Sequence, residues 1–149
     1  MRLSLRTFAP LALIALLSAP AGASERGENP FQGIWCVTMT DDGTCTNIYD
    51  MRDAESFVNY IWYQDAAQRA DVFGRWVRKP GKACFIQESW LRVDLEQNET
   101  VATGELGMDT FYCNELIDDR GSEIVITAPY SEDEITVTRL DALPEWAAL

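Results

Sequence analysis

A chain of 149 residues with 24 Asp and Glu against 12 Lys and Arg, no histidine and a formal charge of −12 repels nucleic acid and anionic lipid through its surface charge. The missing imidazole excludes Ser-His-Asp and Cys-His catalysis and any His-ligated metal or haem, so neither an enzyme of those classes nor a cofactor is expected.

Residues 1–23 have the form of a bacterial-type secretory signal. Arg2 and Arg6 make a basic start, Leu11 to Leu17 is an apolar run too short to span a bilayer, and Ala21-Gly22-Ala23 offers the small residues of a cleavage site. A periplasmic or secreted location follows, with no stable membrane insertion once the signal is removed. The remaining 126 residues suit one domain, and their formal charge is −14 because Arg2 and Arg6 are gone. Four cysteines, Cys36, Cys45, Cys84 and Cys113, are an even number in an oxidising compartment and lack any Cys-x-x-Cys spacing. Two disulfides are expected rather than zinc. Three pairings are open; proximity on one hairpin favours Cys36 with Cys45, leaving Cys84 with Cys113.

Residues 24–30 are polar and form an expected flexible tail, with a single β domain over 31–149. Gly33 to Thr40 alternates, putting Trp35, Val37 and Met39 on one face and Ile34, Cys36 and Thr38 on the other. Asp41-Asp42-Gly43-Thr44 is a turn and Cys45 to Tyr49 the return strand. A two-residue turn at Asp42-Gly43 would set Cys36 opposite Tyr49, so the bridge to Cys45 requires a longer loop. Phe57 to Tyr63 is aromatic and β-branched, which favours a strand, while the spacing of Phe57, Val58, Ile61 and Trp62 also fits a short helix near 53–66. Strands are further expected over 71–78, 83–95, 110–117, 123–127 and 134–140, separated by turns such as Lys79-Pro80-Gly81-Lys82, with a short C-terminal helical turn begun by Pro144 and anchored by Trp146. The fold class is therefore all-β, a small antiparallel up-and-down barrel or sandwich of about eight strands.

Gly33-Ile34-Trp35 resembles the Gly-x-Trp opening of lipocalins and related calycin barrels. That resemblance implies a Trp35 that closes the barrel floor and an Arg from the last strand, here Arg139, lying across its indole, both in structural roles. A narrower similarity, to small periplasmic barrels that inhibit metalloproteases, implies an inhibitory N-terminal tail at Ser24 to Gly27.

For chemistry, Glu88 and Glu115 are the best-placed carboxylate pair, though both positions also suit a solvated strand face. The aromatic content carries more. Tyr60, Trp62, Trp76 and Trp90 are the expected contact residues for an apolar small molecule or a protein partner. The expectation is an exported, non-enzymatic binding barrel, with tail-mediated protease inhibition as the alternative.

Overall fold

The computed structural model describes residues 29–107 and 110–148. The expected signal at 1–23 and the inhibitory segment Ser24 to Gly27 lie outside the described residues. Nine strands follow one another: β1 (Gly33–Met39), β2 (Cys45–Met51), β3 (Ser56–Tyr63), β4 (Gln68–Lys79), β5 (Lys82–Asp94), β6 (Glu99–Glu105), β7 (Phe111–Asp119), β8 (Glu123–Thr127) and β9 (Glu134–Leu140). A short helix, α1 (Glu145–Ala148), is the last described element. The helix considered near 53–66 is a strand instead, followed by one 3₁₀ turn at Gln64–Ala66. Alternation settles this: Phe57 and Asn59 are buried on one face while Val58 and Tyr60 take the other.

All pairings are antiparallel, and the order β1-β2-β3-β4-β5-β7-β8-β9 returns to β1, giving a closed eight-stranded up-and-down barrel. β6 is the addition. The long β5 pairs with β4 along its whole length, with β7 over Lys82 to Ile86, and with β6 over Ser89 to Asp94. β6 therefore extends the sheet beyond the barrel wall, and its second edge pairs with no described strand. The barrel kind agrees with the calycin resemblance, and so does the closure. Trp35 and Arg139 are direct neighbours across β1 and β9, with the Arg139 guanidinium 5.0 Å from the indole centre. Gly33 makes room for it, because a Cβ there would lie 3.0 Å from Nη2 of Arg139. The same guanidinium donates to the Gln32 carbonyl, and the Trp35 Nε1 donates to the Phe31 carbonyl at 2.8 Å.

The β1–β2 hairpin turns through Thr40 to Thr44, and register shifts follow Cys36 and Thr38. Cys36 pairs with Ile48, not Tyr49, and the shifts bring the Cys36 and Cys45 Cα atoms to 5.9 Å. The disulfides are Cys36–Cys45 and Cys84–Cys113, the latter between directly opposed residues of β5 and β7, and no cysteine is free. Two such bridges point to an oxidising, extracytoplasmic environment.

Two apolar clusters result from the alternation. The inner one fills the barrel with Phe31, Trp35, Met51, Phe57, Trp76, Phe85, Tyr112, Ile124 and Val137. The outer one, Ile34, Cys36, Cys45 and Ile48, is covered by Leu143, Trp146 and Ala147 of the C-terminal segment. Full burial of each such side chain contributes about 1.5–3 kcal/mol. Gly74, at the β4 bulge, is obligatory: a Cβ there would lie 2.1 Å from the Ile86 carbonyl oxygen and 2.7 Å from the Phe57 ring.

Candidate functional site

The inner face leaves a cavity of about 160 Å³, lined chiefly by Phe31, Trp35, Tyr49, Phe85, Ile124 and Val137, with Val37, Asn47, Asn114, Pro129 and Ile135 toward one end. Val37, Asn47, Pro129 and Ile135 are half-buried, whereas Phe31, Trp35 and Met51 at the opposite end are buried. The cavity therefore opens beside the β8–β9 connection and is floored by the Trp35 closure.

Polar groups inside are few. Tyr49 on β2 and Tyr112 on β7 share a hydrogen bond between their hydroxyls at 2.6 Å. Burial pushes both phenols above their ordinary ionisation range. Around them the rings interlock: Phe85 meets Tyr112 stacked at 5.0 Å and Phe57 edge-on at 5.3 Å. Asn47, Asn59 and Asn114 each hold a buried side-chain oxygen with no hydrogen-bond partner. Asn47 and Asn114 line the cavity.

The four expected contact residues do not converge on this space. Trp76 lies in the inner core, its Nε1 donating to the Asp53 carbonyl at 3.0 Å. Tyr60 and Trp62 stand outside the barrel beneath the C-terminal segment; Trp62 stacks on Trp146 at 5.4 Å. Trp90 covers Gly104 on β6, where a Cβ would come within 2.6 Å of its Nε1. Beside Tyr60, Arg69 and Asp71 form a buried ion pair at 2.6 Å, and Arg69 also donates to the Trp146 carbonyl at 2.7 Å. Burial outweighs the adjoining Arg69 and leaves the Asp71 carboxyl above its usual range.

Glu88 is paired with Arg75 at 2.6 Å, and both it and Glu115 are exposed. Among the described residues no group of three or more Cys, Asp or Glu side chains is placed to hold a metal ion. No helix among them is long and apolar enough to cross a membrane.

The lumen residues Asn47, Tyr49 and Asn114 were not among the expected site residues. Their signal was parity: Asn47 alternates with Tyr49 and Met51, and Asn114 with Tyr112 and Leu116, so each amide belongs to a face otherwise apolar. Comparison with protein-family models, curated proteins and solved structures gives no match. The geometry of the lumen thus carries the functional argument.

Proposed function

We propose that the protein is a non-enzymatic binding barrel, exported to the periplasm or beyond, that takes a small apolar molecule into its lumen. The observation that carries this reading is the open-ended, largely apolar cavity of about 160 Å³. A dry cavity of roughly 150 Å³ accepts a benzene-sized guest, whereas drug-sized ligands occupy roughly 300–1,000 Å³. The size favours a single-ring compound over a long acyl chain. The non-enzymatic part is supported by the lack of histidine and by the engagement of all four cysteines in disulfides.

Trp35 lines the cavity and is a built-in reporter. Toluene is expected to change tryptophan emission saturably, and Val37→Phe, which narrows the open end, to weaken that binding at least tenfold. Flat titrations with toluene and with its hydroxyl-bearing analogue phenol, or equal binding by a folded Val37→Phe protein, would overturn the lumen reading.

A further inference from the structure

Within the lumen, the polar groups differ in one respect. The Tyr49 hydroxyl is already engaged by Tyr112, whereas the Asn47 and Asn114 side-chain oxygens are buried and unpartnered. Asn114 is only 6% exposed, deep enough for an unmade hydrogen bond to matter.

Their placement is opposed. β2 and β7 are separated by three strands in either direction around the eight-stranded barrel, so Asn47 and Asn114 face the cavity from opposite walls. Both lie toward the open end. The floor, made by Phe31, Trp35 and Met51, is aromatic and aliphatic. A molecule filling this space meets an apolar floor and a pair of carboxamides above it. A carboxamide carries both an acceptor and two donors, and its two ends are exchanged by a half-turn of the side chain. What the two oxygens lack is a donor; a hydroxyl supplies it to one of them, and its own oxygen accepts from the other amide once that side chain makes the half-turn.

Resting on the lumen reading, we infer that Asn47 and Asn114 make the cavity selective for single-ring compounds bearing a hydroxyl, with the ring on the Trp35 floor and the hydroxyl between the amides. A site built to hydrogen-bond a hydroxyl discriminates against the analogue without it, because the protein groups are then left buried and unpaired. A wholly apolar cavity of the same size discriminates in the reverse sense, since a phenol must give up its water without recompense.

The test compares phenol with toluene by calorimetry on the intact disulfide-bonded protein. Phenol is expected to bind at least as tightly as toluene. In Asn114→Leu, and separately in Asn47→Leu, phenol should weaken at least tenfold with toluene unchanged or tighter; near-UV circular dichroism checks that each variant keeps its packing. If one variant does not fold, the other and the wild-type ratio still decide. Toluene binding tenfold tighter than phenol in the wild type, or an unchanged ratio in the folded variants, overturns the hydroxyl selectivity while the lumen reading stands. If neither probe binds, both fall.

Discussion

At the scale of single residues, Tyr49 and Tyr112 show how burial becomes a pH dependence. Both phenols have an ordinary value of 10.0 when solvated, and desolvation raises each in the folded barrel. Below pH 10 their contribution to stability is complete. Above it the unfolded chain releases protons that the native state retains, so stability falls as pH rises, by roughly 1.4 kcal/mol per pH unit for each group. Urea unfolding between about pH 9 and 11.5 should show this fall, to which the half-buried Tyr60 phenol, also raised by burial, adds. Tyr112→Phe should remove one of the three contributions. A wild-type profile flat over that range would contradict the buried pair.

At the scale of elements, the C-terminal segment acts as a strap over the outside of β1, β2 and β3. Leu143, Trp146 and Ala147 cover Ile34 and Ile48, while the Trp146 carbonyl accepts from Arg69 of the buried Arg69–Asp71 pair. Trp146→Ala should destabilise the protein by about 2 kcal/mol, less than a fully buried indole, while Trp146→Phe, which preserves stacking on Trp62, recovers at least half. Equal melting temperatures for Trp146→Ala and wild type would show that the strap holds nothing. How well each element could be read depended on its side-chain pattern. The runs at 33–40, 83–95 and 134–140 alternate, and they are strands. β3 was ambiguous because its apolar residues satisfy both periods. β6 escaped notice because Glu99–Glu105 carries only Val101 and Ala102 as apolar side chains and is mostly exposed, so pairing with β5 rather than burial defines it. The lumen amides were hidden for the opposite reason: an Asn in an alternating strand looks like a solvent-facing residue until closure shows which side is inside. The fold class, the Trp35–Arg139 closure and the disulfide pairs were thus legible, but the convergence of distant strands on one cavity was not.

At the scale of the whole molecule, closure joins the first and last strands. β1 and β9 meet in a short seam of Ile34 with Leu140, Trp35 with Arg139 and Cys36 with Thr138. So few ladder pairs leave the seam dependent on side chains, which is the structural value of the Arg139 stack on Trp35 and of the Gly33 that admits it. The Cys84–Cys113 bridge performs a related task on the far wall. It spans 29 residues, including all of β6, and ties β5 to β7 where the excursion into β6 would otherwise separate them. The lumen is thereby held between a stacked cation on one side and a covalent bond on the other.

The outer edge of β6 has a consequence for how copies of the molecule behave toward one another. Its backbone could template another strand, and what stands against this is charge: Glu99 and Glu105 bracket it on a chain of net −12. The chain as a whole loses its net charge near its isoelectric point of about 4.3, and with it the repulsion between copies. Light scattering should then record colloidal association that begins before the barrel unfolds. Glu99→Lys with Glu105→Lys, which keeps a charge on the edge in acid, should postpone it. Association with the same onset in that double variant would place the sticky surface elsewhere. The shelf life of the protein in acid would then be set by one exposed ribbon of backbone, independent of how well its interior is packed.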